Sequence, residues 1–134
     1  MALDYRIWFV DDEAPIRTLY SLYIKQYQTK TSRTLVIRDF ENGKQAWTAL
    51  QNTRPEHLPH LLLTDNGMPE MTGLELLTFL KEARDKYSTI QCVMVTAEAH
   101  NAELAQKLGA RAFIKPYKMQ DILALVHDAD IASR

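Results

Sequence analysis

Acidic residues, a threonine and a lysine stand directly after short apolar runs in this 134-residue chain. The five residues are Asp11, Asp12, Asp65, Thr96 and Lys115. A single aspartate at the end of an apolar run is most often a turn or cap residue. The chemistry of these side chains therefore depends on whether the fold brings them together.

Three carboxylates in one pocket cannot all stay ionised without compensation. The two remedies are raised pKa values and a bound cation, and Lys115 supplies only one positive charge. Oxygen ligands, with no histidine or cysteine cluster nearby, favour Mg²⁺ over Zn²⁺. A carboxylate can also act as a nucleophile towards a phosphoryl group and form an aspartyl phosphate. A nearby hydroxyl and ammonium would then stabilise the phosphoryl oxygens during transfer.

Five apolar runs of strand length must position these side chains. Several are apolar almost throughout rather than alternating, which is typical of parallel strands covered by helices on both faces. The predicted strands cover residues 5–10, 35–40, 60–64, 90–95 and 111–115.

Between these strands lie segments in which apolar residues recur at helical spacing. Helices are predicted over residues 14 to about 28, 42–52, 73–84 and 98–108, and along the terminal stripe of Ile122, Leu125, Val126 and Ala129. Pro15 suits the first turn of the first helix. Thr72 and Glu75 have capping-box spacing, and Gly109 suits a left-handed helix end. Residues 28–34 and 54–60 are predicted to be loops.

Alternating strands and helices predict an α/β fold, (βα)5, with right-handed crossovers and a parallel sheet between two helical layers. Ligands of such sheets bind beyond the carboxyl ends of the strands, where the winding direction reverses. In the doubly wound, flavodoxin-like strand order 2-1-3-4-5, the first and third strands are neighbours. That order brings Asp11, Asp12 and Asp65 into one pocket.

Length, composition and charge indicate how many domains to expect and which kinds of binding partner are not expected. A length of 134 residues with 46% hydrophobic residues predicts one domain over residues 1–134. The formal net charge is −1 and basic residues form no dense run, so no direct nucleic-acid binding is expected. Cys92 is alone, which suits a reducing compartment, and it is expected to be a small buried hydrophobe. With no apolar run approaching about 18 residues and no leader-like start, we expect no membrane association and a cytoplasmic location.

Four motifs together resemble the receiver domain of bacterial two-component response regulators, over nearly the whole chain. The motifs are "WFVDDE", "LLLTDNGMPEMTG", "VMVTAE" and "GARAFIKPY". The resemblance implies that Asp65 is the phosphoacceptor. It also implies that Mg²⁺ is bound by Asp12 directly, by Asp11 partly through water, by Asp65, and by the backbone carbonyl of Gly67.

The resemblance assigns two further residues to the phosphoryl group. Thr96 would turn its hydroxyl towards it. Lys115 would form an ion pair with it, held by a peptide bond to Pro116 that is usually cis in this family. Asn66, Gly67 and Glu98 stand at positions that influence dephosphorylation in the family.

The implied function is a signalling switch in a phosphorelay. The phosphoryl group would come from a phosphohistidine of a sensor histidine kinase or a histidine phosphotransfer protein. Phosphorylation would change a surface made by the helix predicted over 98–108, the strand over 111–115 and the terminal helix. That surface would bind a downstream effector protein or form a phosphorylation-dependent homodimer. No turnover enzyme is expected.

Two alternatives stay open. The first is an aspartate-nucleophile phosphatase, which usually has a second acid two residues after the nucleophile. Gly67 stands there instead and counts against turnover. The second is a binding module that does not respond to phosphorylation.

A departure from the family pattern supports the second alternative. The family commonly has an aromatic residue three positions before the lysine, and here that residue is Ala112. Phe113 is shifted by one position, so it is expected to face the other side of the sheet as an ordinary core residue.

Further expectations concern the histidines and the end of the chain. The histidines at 57, 60, 100 and 127 are expected to be exposed. The chain ends in "HDADIASR" after the last helix, which fits either a stand-alone regulator or a piece of a longer protein.

Overall fold

Five parallel strands form one sheet in the computed structural model, which describes residues 4–115 and 118–134. The strand order is β2-β1-β3-β4-β5, as the sequence predicts. The bounds are β1 Asp4–Val10, β2 Thr34–Phe40, β3 Leu61–Thr64, β4 Gln91–Thr96 and β5 Arg111–Ile114. Each predicted strand is therefore confirmed to within a residue at either end.

Six α-helices are found in the described ranges, one more than predicted. They are α1 Ala14–Gln26, α2 Gly43–Gln51, α3 Gly73–Glu82, α4 Arg84–Tyr87, α5 Ala99–Lys107 and α6 Met119–Ala132. The extra helix arises because Ala83, at φ −106° and ψ 34°, interrupts the predicted helix 73–84. Two short 3₁₀ helices are also present: Tyr27–Lys30 spans the end of the predicted helix 14 to about 28 and the start of a predicted loop, and Pro55–His57 lies in the other predicted loop.

The helix starts and ends follow local chemistry. Pro15 lies in the first turn of α1. Thr72 and Glu75 form the predicted capping box at the start of α3, where each side chain accepts a hydrogen bond from the other's backbone. Gly109 adopts φ +90° after α5, a conformation that glycine reaches without strain.

Two hydrophobic cores lie on opposite faces of the sheet. Alternate strand residues point to opposite sides, so Trp8, Leu62 and Met94 pack with α2, α3 and α5. Phe9, Leu63 and Val95 pack with α1 and α6 on the other face. Both faces of the central strands are therefore buried, which explains why their sequences are apolar throughout.

A buried ionic network connects α6 to the amino ends of β1 and β2. Asp130 of α6 is fully buried. It accepts hydrogen bonds from Arg33 at 2.8 Å, from the Tyr27 hydroxyl at 2.6 Å and from Arg134 at 3.1 Å. Arg33 also donates to the carbonyl of Asp4 at 2.8 Å. Burial alone would raise the pKa of Asp130, but these hydrogen bonds outweigh it and lower the pKa to about 2.

His60 borders this network, so the prediction that all histidines are exposed is wrong for this residue. It is half-buried, and its Nδ1 accepts a hydrogen bond from the backbone amide of Arg6 at 2.9 Å. Burial, followed by the charges of Arg6 and Arg33, lowers the pKa of His60 to about 4. The sequence does not show that residues just before β3 pair with β1, so the partial burial of His60 could not be predicted from it.

Cys92, expected to be a small buried hydrophobe, is partly buried and packs against the core on the α2, α3 and α5 side. Burial still raises the pKa of its thiol to about 12. The thiol therefore stays protonated at neutral pH. No helix in the described part of the chain is both long and apolar enough to cross a membrane.

We expect Asp130→Asn to lower the free energy of unfolding by about 3 kcal/mol at pH 7, because it leaves buried Arg33 without a counter-charge. A carboxyl whose folded pKa is depressed stabilises the protein above its ordinary pKa of 3.8. The deficit should therefore shrink as the pH falls from about 4 to about 2. Urea unfolding at several pH values measures this.

Asp128→Asn is the matched control for this experiment. Asp128 lies on the same helix and forms an exposed ion pair with Arg111 at 3.2 Å. We expect a loss within about 0.5 kcal/mol, since exposed pairs contribute little. Equal losses in the two variants would contradict the assignment of the network as a stabilising unit.

Candidate functional site

The carboxyl ends of β1 and β3 bring the three predicted acids together. Val10 is paired with Thr64, and the Asp65 amide donates to the Val10 carbonyl at 3.0 Å. Carboxylate oxygens of Asp11, Asp12 and Asp65 lie within 4.8 Å of one another. The predicted cluster of carboxylates therefore exists in the fold.

Asp11 is the most constrained member of the cluster. It is fully buried, and one oxygen accepts a hydrogen bond from the Glu13 amide at 2.9 Å. Its other oxygen, Oδ2, is buried without a hydrogen-bond partner among the described residues. Burial, reinforced by the charges of Asp65 and Asp12, raises the pKa of Asp11 to about 6. A buried carboxylate oxygen with no partner is a place where a cation would be stabilised.

Lys115 reaches the cluster from the carboxyl end of β5, which is an edge strand of the sheet. Its backbone amide donates to the Thr96 carbonyl at 2.8 Å, which extends the pairing of β4 with β5. Its ammonium lies 3.5 Å from Asp65 Oδ2 and 3.9 Å from Asp11 Oδ2. Lys115 thus balances part of the negative charge and lies within reach of a group attached to Asp65. The predicted cis peptide bond to Pro116 lies outside the described residues.

Thr96 is buried at the end of β4. Its hydroxyl oxygen accepts a hydrogen bond from the Glu98 amide at 3.2 Å, just before α5 begins. Among the described residues, none accepts a hydrogen bond from this hydroxyl, so its proton can be donated. Thr96 can therefore serve the start of α5 and a phosphoryl oxygen at the same time.

The loop after Asp65 is anchored by its own side chains. The Asn66 amide donates to Asp65 Oδ1 at 2.7 Å, and the Asn66 side chain accepts from the Leu74 amide at 3.0 Å. These bonds connect Asp65 directly to the start of α3. Gly67, the predicted carbonyl ligand, is exposed and has open space around its Cα.

Two residues that support the cluster were not predicted from the sequence. A Cβ on Gly73 would collide with the Asp65 carbonyl oxygen, so only glycine allows α3 to begin this close to Asp65. Arg17 donates to the Asp11 carbonyl at 2.8 Å and to Asp39 at 3.2 Å. Neither contact has a signal in the sequence, because each depends on how a helix packs against a distant strand end.

Ala112 and Phe113 lie on opposite faces of the sheet. Ala112 packs on the α2, α3 and α5 side, and Phe113 packs with the α1 and α6 side. The expectation that Phe113 is a core residue facing away from the usual aromatic position is confirmed.

The donor set fits a hard divalent cation. Three carboxylates supply oxygen atoms, and one buried Asp11 oxygen has no hydrogen-bond partner among the described residues. Mg²⁺ prefers such oxygen ligands and retains several waters. In the described ranges, no histidine or cysteine joins this group of potential ligands.

Together, the sheet and its edge define an α/β protein with an acidic pocket at the point where the sheet winding reverses. The family model described as "Response regulator receiver domain" matches residues 7–127. The chain therefore belongs to the response regulator receiver domain family, the signalling domains of two-component systems.

Individual relatives agree with this membership. The chain is 34% identical over 128 residues to a protein named "Chemotaxis protein CheY homolog" from Campylobacter jejuni, covering 88% of this chain and 92% of that protein. It is 32% identical over 126 residues to "DNA-binding transcriptional regulator NtrC" from Proteus hauseri, covering 92% of this chain but only 24% of NtrC. The receiver domain of the Francisella response regulator 1452 has a similar fold, with a TM-score of 0.79 at 17% identity over 97% of this chain and 99% of that one.

We expect the metal-free protein to carry a pH-dependent penalty at Asp11. A carboxyl whose pKa is raised from 3.8 to about 6 in the folded state binds its proton more tightly there than in the unfolded chain. The free energy of unfolding of the wild-type protein therefore falls as the pH rises between these values. Asp11→Asn cannot ionise. Its stability relative to wild type should therefore rise by about 2 kcal/mol between pH 4 and pH 8.

Thermal or urea unfolding in EDTA across this pH range measures the difference. Asp85→Asn, which replaces an exposed acid on α4, serves as the control and should show no such trend. A difference between Asp11→Asn and wild type that stays flat with pH would refute the electrostatic assignment.

Proposed function

We propose that this protein is a phosphorylation-controlled switch in which Asp65 accepts a phosphoryl group. The observation that carries the proposal is the placement of Lys115 3.5 Å from Asp65, beside a cluster of three acids. Residues 1–134 act as one receiver domain, and the location is cytoplasmic. The phosphoryl donor is a phosphohistidine on a sensor histidine kinase or a histidine phosphotransfer protein.

The transfer is a displacement at phosphorus. A carboxylate oxygen of Asp65 attacks, the new O–P bond forms, and the P–N bond to the histidine breaks with the electron pair leaving on nitrogen. Lys115 pairs with a phosphoryl oxygen and the Thr96 hydroxyl donates a hydrogen bond to another. The amide of Asn66 already holds the other Asp65 oxygen at 2.7 Å and orients the carboxylate for attack.

Asp12 would bind a divalent cation directly and Asp11 partly through water, together with Asp65 and the backbone carbonyl of Gly67. When bound, Mg²⁺ neutralises charge on the carboxylates and on the phosphoryl oxygens. Arg17 supports this arrangement by fixing the backbone of Asp11. Such a cation would also compensate Asp11 Oδ2, which has no hydrogen-bond partner among the described residues and lies 3.9 Å from the Lys115 ammonium.

The reaction stops once Asp65 carries the phosphoryl group. An aspartate-nucleophile phosphatase needs a second acid to activate water, and Gly67 holds the position where that acid usually stands. The domain therefore stores the phosphoryl group rather than turning over substrate. Stored charge at Asp65 then alters the surface of α5, β5 and α6, which binds an effector or a second copy.

We expect wild-type protein treated with acetyl phosphate and Mg²⁺ to gain the mass of one phosphoryl group in intact-mass spectrometry. Asp65→Asn should gain none, because the amide is not a nucleophile, and EDTA should abolish the gain in wild type. Glu70→Gln, in the loop after the site, should behave as wild type. Undiminished labelling of Asp65→Asn would disprove the assignment of the acceptor.

A binding module that does not respond to phosphorylation is the second candidate. It is favoured by Ala112, which offers no ring to move on its side of the sheet, and by Phe113, which packs in the opposite core. The intact acids and Lys115 speak for the switch. Both candidates share the fold and differ in whether the surface responds.

Beryllofluoride, which mimics an aspartyl phosphate, separates the two. With Mg²⁺ and beryllofluoride, the switch should show changed amide exchange in α5, β5 or α6, or a change in oligomeric state. Asp65→Asn should show neither. A wild type that binds beryllofluoride without any such change would establish the inert module instead.

A further inference from the structure

The strand β2 lies at the edge of the sheet, next to β1 alone. Successive residues of a strand direct their backbone groups to opposite sides. Phe40 faces β1, because its carbonyl accepts a hydrogen bond from the Asp11 amide at 3.1 Å. By alternation, the backbone groups of Leu35, Ile37 and Asp39 face away from the sheet.

Glutamine side chains cover both ends of this outer edge. Gln28 accepts from the Leu35 amide at 3.1 Å and donates to the Arg33 carbonyl at 2.8 Å. A single residue of a neighbouring parallel strand would make the same pair of bonds through its own N–H and C=O. At the other end, the Gln45 side chain accepts from the Glu41 amide at 3.0 Å. Between these ends, no side chain of the described residues binds the amides of Ile37 and Asp39.

A cavity flanks this open stretch on each face of the sheet. On the α2 side, about 730 Å³ lies between Arg38 and Phe40 of β2 and the helix residue Thr48. On the α1 side, about 400 Å³ lies between Ile37 of β2 and Leu22 of the helix. Side chains of a strand added to β2 would alternate between these two cavities.

Each cavity contains a cation without an acidic partner among the described residues. On the α2 side Lys44 pairs with Glu70 at 3.9 Å, but Arg38 lies over the rings of Trp8 and Phe40. On the α1 side Arg17 pairs with Asp39 at 3.2 Å, and exposed Lys25 also lines the cavity. The charge left over in both cavities is positive.

We propose that the open edge of β2 binds an extended, acidic segment of a partner protein as an added strand. The Ile37 and Asp39 amides donate to its backbone, and acidic side chains reach Arg38 in one cavity and Lys25 in the other. Apolar side chains of the segment pack on Phe40 and Leu22. Main-chain hydrogen bonds supply affinity and the two cavities supply specificity.

A second copy of this chain fits the same edge less well. Edge-to-edge pairing of two copies would bring Arg38 and Lys25 of each copy to the same interface, and like charges placed opposite one another are destabilising. An acidic segment instead neutralises both cations. This binding does not depend on phosphorylation of Asp65, so the experiment below uses no phosphoryl donor.

The probe is the acetylated and amidated peptide VVEEVV, which places one glutamate and two valines on each side of an added strand. In ¹⁵N NMR titrations, the amides of Ile37 and Asp39 should shift most. Their hydrogen exchange should slow about tenfold or more in the complex, because they become hydrogen-bonded. The amide of Arg38, which faces β1, should change little.

Charge and backbone pairing are tested separately. Arg38→Glu and Lys25→Glu should each weaken binding about tenfold, whereas Lys107→Glu, the same charge change on α5, should not. The peptide VVKKVV should not bind. N-methylation of alternate peptide amides should abolish binding for one set of positions and spare it for the other, since one set faces β2.

Three results would overturn the proposal. The first is unchanged exchange at Ile37 and Asp39 under saturating peptide. The second is equal affinity of the two N-methylated peptides, which would reduce the interaction to charge alone. The third is protection of the same two amides by concentration-dependent dimerisation without peptide, which would assign the edge to a second copy.

Discussion

The parallel pairing of β1 with β3 is the constraint on which the rest of the site depends. It joins the Asp65 amide to the Val10 carbonyl and so places Asp65 beside buried Asp11. Carboxylates this close are mutually destabilising, and the surrounding elements limit the cost. Lys115 brings a positive charge from the end of β5, and Arg17 holds the Asp11 carbonyl. The pocket remains short of positive charge, which makes it receptive to a cation and to a group that the cation can stabilise.

Two buried aspartates, one near the amino ends of the strands and one at the carboxyl ends, have different roles. Asp130 and Asp11 are both fully buried. Asp130 receives hydrogen bonds from an arginine, a second arginine and a tyrosine, and its pKa falls to about 2. Asp11 accepts one backbone hydrogen bond, its other oxygen has no hydrogen-bond partner in the described part of the chain, and its pKa rises to about 6. At the amino ends of the strands, a charge network whose hydrogen bonds are satisfied stabilises the protein. At the carboxyl ends, unbalanced negative charge remains that a ligand can relieve.

The two sheet edges differ in what they offer to other molecules. At the β5 edge, Ala112 and the inward packing of Phe113 remove the ring that commonly moves in this family. Under the proposed switch, a response at this edge would pass through Lys115, Thr96 and the start of α5. At the β2 edge, Gln28 and Gln45 cover the ends of the strand and leave a short open stretch between two cavities. Covering the ends of an edge strand restricts pairing with unwanted chains and defines the length of segment that fits.

The sequence by itself determined the alternation of five strands with helices and the identity of the acids at the strand ends. These follow from local properties, namely apolar runs of strand length, helical spacing, the Thr72 capping box and polar residues at strand ends. The tertiary structure alone decided the burial of Asp11 and Asp130, the position of Arg17, the need for glycine at residue 73 and the partial burial of His60. It also decided that β2 keeps an open stretch between two glutamines. The reason is physical: burial, desolvation and hydrogen bonding depend on residues far apart in the chain, and no local pattern records which of them will meet.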